Sequence, residues 1–517
     1  MAQEVELKLL ALPADLRRLR AAVRALAPQG VRLSTQRLLS HYFDTPDLGL
    51  WHAGIALRVR KVGRRWLQTL KGDGEVQAGL HSRAEWESSV PDGQPDLARL
   101  IAAHPDDAAL RVAAARVASM PALHHIFVTD FRRGALTLTL EDGSVVEVAL
   151  DQGEISAGER STPICEVELE LKDGAVSALF ALARTLQRAA PLRVGQASKA
   201  ERGYALLRDE RAPVPVKAKP LQLDPGMTVE DAFAACFAAC ITQLQGNEPG
   251  FLGTPDPEHV HQMRVALRRL RALLGLMGRV MPKSVFAAIN GELKWLAGAL
   301  EAARDWYVFA HETLPPIAEA AGAQPLAILS QRAGAALEEG VREAVAAVQS
   351  ERYNSLMFQL GEFTATRGWR AALPESALEA LAEPVGSFAA RLLSRRHRQL
   401  LKLGAGLGQA QPEARHAVRI AAKKLRYGLE FFMSVLPEKR ARPVQSALAE
   451  LQDLLGHLND AAVAETLTAR LRTDQDSPEV PLNVGMLQGW LLAQRAHHLA
   501  ALDEAWARFA KLRSPVK

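Results

Sequence analysis

The sequence predicts an α+β architecture, in which a domain dominated by antiparallel β-strands precedes an all-α domain of two related helical bundles. Three observations predict it. Polar and apolar residues alternate repeatedly over residues 1–207, whereas residues 209–224 are rich in proline and charge without any apolar period. The remaining half reads as helix and repeats one basic motif at a fixed offset. At 517 residues, the chain is long enough for two or three domains.

Alternation with a period of two indicates β-strands, because successive side chains of a strand point to opposite faces of the sheet. The segments that show it are 4–10, 56–61, 66–71, 135–140, 145–150 and 164–172. Helical periodicity interrupts them at 15–26 and 175–188. We therefore expect a β-rich domain over 1–207, followed by a linker over 208–224.

The helical half contains an internal duplication. The motif His-x-x-Arg-x-x-x-basic-basic-Leu-Arg begins at His261 and again 155 residues later at His416. The pair Arg304–Asp305 recurs as Asn459–Asp460 at the same offset. A register that holds without gaps over this length predicts two related bundles, and we place the all-α domain at 225–510.

Composition restricts the class of protein. A charged fraction of 23% and a formal charge of +5 do not fit a disordered acidic or basic tail. The beginning of the chain does not resemble a secretory signal, and the most apolar helical run, 232–242, is too short to span a bilayer. The sparse cysteines Cys165, Cys236 and Cys240 favour a reducing compartment. Core packing is preferred over a metal site for Cys236 and Cys240, and the protein is predicted to be cytoplasmic, without membrane association.

Several strands place charged side chains at every second position. Two interpretations are open for them: a half-exposed sheet with its charged face in water, or a barrel that closes with the charged faces inside. Carboxylates bind hard divalent cations, and arginine and lysine neutralise phosphate oxygens. Together, such groups support metal-assisted phosphoryl transfer. The strands that show the pattern carry Glu4, Glu6 and Lys8; Arg58 and Arg60; Arg83, Glu85 and Glu87; and Glu166, Glu168 and Glu170.

The segment Glu4-Val5-Glu6-Leu7-Lys8 resembles the ExExK signature of the CYTH superfamily, also called triphosphate tunnel metalloenzymes. Further family-like pieces follow in order at 42–45 (YFDT), 57–60 (LRVR), 69–71 (TLK), 83–87 (RAEWE), 150–153 (LDQG), 166–170 (EVELE) and 198–204 (SKAERGY). This resemblance covers residues 1–207. It implies an eight-stranded antiparallel β tunnel.

The resemblance also implies roles for individual residues. The implied ligands of Mg²⁺ or Mn²⁺ are Glu4, Glu6, Asp151, Glu166 and Glu168, with Glu170 on the same face. The implied triphosphate-binding cations are Lys8, Arg58, Arg60, Lys71, Arg133 and Lys199, and the implied catalytic set is Glu4, Glu6, Lys8 and Glu168. Arg83 either binds phosphate or pairs with Glu85 or Glu87. One metal ion would bridge the triphosphate and a second would position or activate water.

The basic helices carry His261, Arg264, Arg268 and Arg271 at spacings of 3, 4 and 3, which places them on one face. The second copy presents His416, Arg419, Lys423 and Arg426 in the same way. A solvated basic face and an anion-binding site are both compatible with one such helix, and the repetition favours the anion site. Arg269 and Lys424 lie off this stripe, and we expect them to face solvent.

This half resembles the CHAD domain over about 225–510. The resemblance implies a two-bundle fold whose basic groove binds inorganic polyphosphate through both sets of basic residues, with His261 and His416 as groove residues instead of metal ligands. Nucleic acid is disfavoured, because five tyrosines in 517 residues and few aromatic residues between the basic positions leave little for base stacking.

The leading prediction is therefore an inorganic triphosphatase, a phosphoanhydride hydrolase that splits triphosphate into pyrophosphate and phosphate with Mg²⁺ or Mn²⁺. One alternative keeps the tunnel and changes the activity, to adenylate cyclase, thiamine triphosphatase or RNA triphosphatase. Another alternative is a non-catalytic polyphosphate-binding scaffold, against which the intact acidic set argues.

Overall fold

Residues 3–28, 31–77, 79–209, 213–254, 256–321, 326–407, 410–472 and 479–516 are described by the structure, which is a computed structural model. The chain divides into two compact units. The first comprises Met1–Pro213 and Ser350–Gly368, and the second comprises Val214–Gln349 and Trp369–Lys517. Of the predicted linker, residues 210–212 lie outside the described residues, and 213–224 contain no helix or strand.

The first unit is built on one antiparallel sheet. Its strands are β1 (Gln3–Leu10), β2 (Ser34–Asp44), β3 (Ala56–Val62), β4 (Arg65–Gln77), β5 (Leu80–Val90), β6 (His124–Thr139), β7 (Val145–Ala157), β8 (Arg160–Asp173) and β9 (Arg193–Val194). The order is β5-β4-β3-β2-β6-β7-β8-β1-β9, and β1 also pairs with β5. That pairing closes β1 to β8 into a barrel over the described residues, which confirms the predicted eight-stranded antiparallel fold.

Helices α1 (Leu16–Leu26), α2 (Gly49–His52), α3 (Leu97–Ala103), α4 (Ala108–Ala118) and α5 (Ser177–Gln187) cover the outside of the barrel. Helix α6 (Lys199–Leu207) instead contributes its first residue, Lys199, to the interior. Strand residues such as Leu57, Val59 and Leu70 are buried in one apolar cluster with Leu100 of α3 and Leu110 of α4. Because side chains alternate along a strand, the charged positions of the same strands turn into the barrel.

Helix α6 is held at the barrel by Asp44 and Tyr204. The Tyr204 hydroxyl donates to Asp44 Oδ2 at 2.7 Å, and Asp44 also accepts from the backbone N–H groups of Leu50 and Trp51 at 2.8 and 3.0 Å. Gly203 permits close packing, since a Cβ there would lie 2.2 Å from Phe127. Asp44 is therefore a structural residue that fixes α2 and α6.

The second unit is all-α in its described residues. Its helices are α7 (Val229–Gly246), α8 (Glu248–Gly253), α9 (Pro257–Met277), α10 (Ala287–Ala299), α11 (Glu301–Val308), α12 (Leu314–Ala321), α13 (Ala327–Gln349), α15 (Glu375–Leu381), α16 (Val385–Leu403), α17 (Pro412–Phe432), α18 (Glu438–Arg470) and α19 (Glu479–Ala510). No described helix is both long and apolar enough to cross a membrane. Cys236 and Cys240 are buried in α7.

Helix α14 (Glu351–Ala365) belongs to the first unit, although the sequence places it within the helical half. Arg184 of α5 donates to Glu362 at 2.6 Å, and Gln187 donates to Ser355 at 3.0 Å. The sequence places residues 225–510 in one all-α domain, whereas residues 350–368 of this segment belong to the first compact unit. The domain bounds themselves stay a prediction.

The duplication is visible helix by helix. α9 and α17 begin and end 155 residues apart, at 257–277 and 412–432. At the beginnings of α7 and α16, the backbone N–H of Val229 donates to Glu383 O at 2.9 Å, and that of Val385 donates to Met227 O at 2.8 Å. The two donors are 156 residues apart and so are the two acceptors, one more than the offset of α9 and α17. The bonds are therefore reciprocal, as expected about a local two-fold axis.

Candidate functional site

The inside of the barrel contains a cavity of about 70 Å³. Ten of the predicted site residues line it: Glu4, Glu6, Lys8, Arg58, Arg60, Lys71, Arg83, Arg133, Glu168 and Lys199. They come from six strands and from the first turn of α6. Tyr42 and Ser198 also line the cavity and were not among the predicted residues. Acidic and basic side chains therefore converge in the interior instead of facing solvent.

Three carboxylates form the acidic centre. Asp151 lies directly opposite Glu166 in the β7–β8 pairing, and Glu168 follows on the same face of β8. One oxygen of each lies within 4.8 Å of the other two, and Asp151 and Glu166 are fully buried. Hard oxygen donors in this number suit Mg²⁺ or Mn²⁺.

Lysines compensate the acidic centre. Lys199 Nζ lies 2.7 Å from Asp151 and 2.9 Å from Glu168, and it also pairs with Glu166. Lys8 pairs with Glu168 and lies 3.6 Å from Glu166. Burial acts to lower the pKa of Lys8, but the surrounding carboxylates outweigh burial and raise it well above its usual value.

The other predicted metal ligands lie outside this group of three. Glu6 is 3.5 Å from Lys8 Nζ, so it borders the acidic centre through that lysine. Glu170 pairs at 2.5 Å with Lys172, whose side chain is partly exposed. Glu170 does not line the cavity, and its role as a metal ligand stays a prediction.

A second ion-pair network lies on the β3–β5 side of the barrel. Lys71 Nζ bridges Glu4 at 2.7 Å and Glu85 at 2.8 Å, and Arg58 reaches Glu85 at 3.3 Å. Burial raises the pKa of Glu4 to about 7, against the lowering effect of Lys71. Burial also acts to raise the pKa of Glu85, but Lys71 and Arg58 outweigh it and hold that pKa at about 2. Glu85 is therefore the charged partner of the two cations.

An aromatic residue, Phe131, packs against two cations of the cavity wall. Arg133 donates to both oxygens of Asp151 at 2.8 and 2.7 Å, whereas the neighbouring Arg132 is exposed. Lys199 Nζ lies 4.9 Å and the Arg133 guanidinium 5.7 Å from the centroid of the Phe131 ring. Phe131 was not predicted from the sequence, although it lies two residues before Arg133 in β6 and therefore on the same, inward face of the strand.

Arg60 and Arg83 have no carboxylate partner within the described residues. Burial, followed by the charges of Arg58 and Arg133, lowers the pKa of Arg60 to about 9. Arg83 lines the cavity and contacts His81 Nδ1 at 2.9 Å, and it pairs with neither Glu85 nor Glu87. Of the two roles left open for Arg83, this arrangement favours phosphate binding.

A larger cavity of about 1390 Å³ lies in the second unit. The predicted polyphosphate-binding residues on its lining are His261, Arg264, Arg268, Arg419, Lys423 and Arg426. Arg271 and His416 are exposed and do not line it. Acidic residues such as Asp305 and Asp460 are also present. We refer to this cavity as the helical groove.

Several arginines of the helical groove have hydrogen-bond donors without an acceptor among the described residues. The Nε atoms of Arg264, Arg268 and Arg419 are buried without a hydrogen-bond partner in the part of the chain described. Burial, followed by the charges of Arg419 and Arg268, lowers the pKa of Lys423 to about 8. Burial and Arg304 lower the pKa of His261 to about 4. The groove thus concentrates positive charge that an anion would neutralise.

The expectation that Arg269 faces solvent is wrong. Its side chain is 3% exposed, its Nη1 donates to Gln243 at 2.7 Å, and its guanidinium lies 5.1 Å from the centroid of the Phe431 ring. A guanidinium can be buried when its donors are paired and its plane packs on an aromatic ring. Lys424 is partly exposed.

Two family models match the chain. Residues 2–204 match the model of the CYTH domain, and residues 235–469 match the model of the CHAD domain. The CHAD domain from the plant Ricinus communis is 34% identical, with 58% of this chain and 98% of that chain covered and a TM-score of 0.51.

A Haemophilus influenzae protein named inorganic triphosphatase is 36% identical over 212 residues, which are 40% of this chain and 55% of the relative. The match therefore spans about half the length of that relative. A Hippeastrum protein described as a putative adenylyl cyclase with a dominant triphosphatase activity is 19% identical, over 40% of this chain and 96% of that chain, with a TM-score of 0.28. That likeness is too weak to bear on function.

Proposed function

The chain belongs to the proteins that carry a CYTH domain and a CHAD domain, and from this premise we propose that it hydrolyses inorganic triphosphate to pyrophosphate and phosphate with Mg²⁺ or Mn²⁺. We also propose that the helical groove binds inorganic polyphosphate. The relative named inorganic triphosphatase supports the choice of substrate class.

One observation carries the catalytic proposal: carboxylates and cations from separate strands meet in one enclosed bore. The acidic centre occupies one side, and Arg58, Arg60 and Arg83 face the cavity from the other strands. A linear triphosphate is an anion without an apolar portion, so it requires cations along its length and a cation-binding centre beside it.

The acidic centre fits a divalent ion. Its three carboxylates offer only hard oxygen ligands, and a protein cation, the ammonium of Lys199, already lies among them. Held there, a divalent ion would neutralise phosphate charge and lower the pKa of bound water. The residues that would hold it are Asp151, Glu166 and Glu168, with Glu6 at the border.

The chain's own cations would orient the substrate. Lys71 and Arg58 are now engaged with Glu85, and both can exchange that partner for phosphate oxygens. Arg60 forms no ion pair with a carboxylate among the described residues, so it can bind phosphate without breaking one. A bound phosphate would raise the pKa of Arg60 toward the usual range. In hydrolysis, a water oxygen bonds to the terminal phosphorus and gives up a proton to solvent, while the bridging P–O bond breaks and the electron pair of that bond leaves with pyrophosphate. The surrounding cations stabilise that leaving charge.

Phosphate release from a substrate panel tests the catalytic proposal. The panel is tripolyphosphate, ATP, thiamine triphosphate and 5′-triphosphorylated RNA, each with and without Mg²⁺. We expect tripolyphosphate to be hydrolysed fastest and Glu166→Gln to reduce the rate by at least about 100-fold, because a ligand of the acidic centre is removed. Glu154→Gln, at an exposed position of the same β7–β8 pair, is the control. Cyclic AMP as the main product would overturn the proposal.

The unpaired guanidinium atoms carry the polyphosphate proposal. Substituting Arg268→Gln and Arg419→Gln together removes two of them. We expect weaker polyphosphate binding in titration calorimetry with unchanged tripolyphosphate hydrolysis. Arg342→Gln, at an exposed site outside the groove, is the control. Equal affinity in the double variant and the wild type would reject the groove as the binding site.

A further inference from the structure

A second concentration of positive charge lies on α16, outside the helical groove. Residues 384–412 contain five arginines and lysines but no aspartate or glutamate. Residues 259–291, which include most of α9, contain no acidic residue either, and Arg279 and Lys283 follow that helix. Charge of one sign is therefore concentrated along two stretches that are distant in sequence.

The fold brings these stretches together. Arg396 Nη2 of α16 donates to the Gly275 carbonyl of α9 at 3.4 Å, which joins the two helices. The charge of Arg279 acts on both Arg395 and Arg396, and the charge of Arg396 acts on Lys424 of α17. Helices α16 and α17 and the turn after α9 thus contribute to what we call the outer patch: Arg279, Arg395, Arg396 and Lys424.

The outer patch is distinct from the helical groove. None of its four residues lines that cavity. One residue of an α-helix turns the side-chain direction by about 100°, so Lys424 points away from the face on which Lys423 enters the groove. The groove also holds acidic residues such as Asp305, whereas no carboxylate in the described ranges pairs with the outer patch.

The cations of the outer patch are close enough to one another to disfavour their charged forms. Burial lowers the pKa of Arg395 and of Arg396, and the charge of Arg279 lowers both further. Arg396 Nε is buried and, among the residues described, has no hydrogen-bond partner. Like charges held close together reduce stability unless a counter-charge binds.

We propose that the outer patch is a second phosphate-binding site, which takes a linear chain of inorganic polyphosphate independently of the helical groove. The inference rests on polyphosphate binding by the second unit, as proposed above. Guanidinium groups beside a lysine match the oxygens of successive phosphates. Of phenylalanine, tyrosine and tryptophan, α16 contains only Phe388, which is buried, so the surface of α16 offers no stacking platform for bases.

Two charge-removing double variants of the full-length protein test the site. The first variant, Arg395→Gln with Arg396→Gln, removes the two charges of the patch on α16. The second, Arg279→Gln with Lys424→Gln, removes the other two charges and keeps the hydrogen bond from Arg396 to Gly275. The control, Arg342→Gln with Arg508→Gln, removes the same charge from exposed positions elsewhere. The probes are tripolyphosphate and longer inorganic polyphosphates at several NaCl concentrations, with affinity measured by calorimetry.

We expect both patch variants to bind long polyphosphate about tenfold more weakly, because charge-assisted hydrogen bonds to phosphate are removed. The slope of log affinity against log salt should fall by about 0.7 for each phosphate that the protein no longer neutralises, as for flexible single-stranded polyanions. Tripolyphosphate hydrolysis should not change, and the control should behave as the wild type.

The outcomes separate this site from the groove. Wild-type affinity and wild-type salt slope in both patch variants would overturn the outer patch alone, while loss of binding in the Arg268→Gln, Arg419→Gln variant would still support the groove. No polyphosphate binding by the wild type would overturn both. Reduced binding of single-stranded DNA or of anionic lipid vesicles by the patch variants, with polyphosphate binding intact, would overturn the choice of ligand.

Discussion

The ammonium of Lys199 lies 2.7 Å from the Asp151 carboxylate, within the group formed with Glu166 and Glu168. Lys199 is the first residue of α6, whereas the carboxylates belong to two strands. A protein cation therefore occupies the centre that we assign to a divalent ion. Removing one partner of a buried ion pair typically costs about 3–5 kcal/mol, since the other charge remains uncompensated.

Replacing Lys199 with methionine should make stability depend on divalent ions. We expect Lys199→Met to unfold at a lower temperature than the wild type in chelator, and Mn²⁺ to raise its midpoint by more than it raises that of the wild type. Calorimetric titration should show tighter Mn²⁺ binding. Lys172→Met, at a partly exposed pair with Glu170, is the control. An identical response to Mn²⁺ in Lys199→Met and wild type would contradict the assignment.

The affinity for metal should depend on pH near neutrality if Glu4 contributes to binding. Burial raises the pKa of Glu4 to about 7. A protonated carboxyl is a poor ligand, so Mn²⁺ affinity should fall as pH decreases through about 7. Titrations at pH values on either side of 7 would measure this step, and Glu4→Gln should remove it. A step of the same size in that variant would exclude Glu4 as its origin.

Polyphosphate binding should take up protons near pH 8. Burial, with Arg419 and Arg268, lowers the pKa of Lys423 to about 8, and a bound anion would raise it again. Affinity should therefore be highest below about pH 8 and decrease as pH rises through it. Calorimetry in two buffers with different ionisation enthalpies measures the proton uptake. Lys423→Arg keeps the charge and should abolish the uptake; if uptake persists, another group titrates.

Removing the Tyr204 hydroxyl should loosen α6. It donates to the buried Asp44 carboxylate at 2.7 Å, and hydrogen bonds to charged groups contribute about 1.5–3 kcal/mol. We expect Tyr204→Phe to reduce the free energy of unfolding by about 2 kcal/mol in denaturant titrations. Asp44 keeps its backbone donors, so the barrel should still fold. Tyr307→Phe, in the second unit, is the control; equal destabilisation of both variants would show that the hydroxyl's hydrogen bond is unimportant.

The inward direction of the charged residues could be predicted from the sequence because strand side chains alternate strictly. That rule orients Glu4, Glu6 and Lys8 together, and in β6 it separates Arg133 from Arg132. Barrel closure could not be derived from alternation, since β1 and β5 are distant in sequence and their pairing depends on sheet curvature. The resemblance to a known family supplied that part.

Other features could not be predicted from the sequence, for physical reasons that the structure identifies. His81 contacts Arg83 through a side-chain geometry that spacing does not reveal. The repeated motif suggested equal roles for His261 and His416, but His416 lies in the first turns of α17 and is exposed. The packing of α14 on α5 depends on contacts between residues more than 150 positions apart, such as Gln187 and Ser355, and no local pattern indicates it.

The reciprocal backbone bonds at Val229 and Val385 have an implication for ancestry. Equivalent atoms that exchange equivalent bonds are what two identical short chains make when they associate face to face. The second unit therefore has, in one covalent molecule, the geometry expected of a pair of half-length chains. The two copies are not identical in their surroundings, because His261 lines the helical groove whereas its counterpart His416 is exposed.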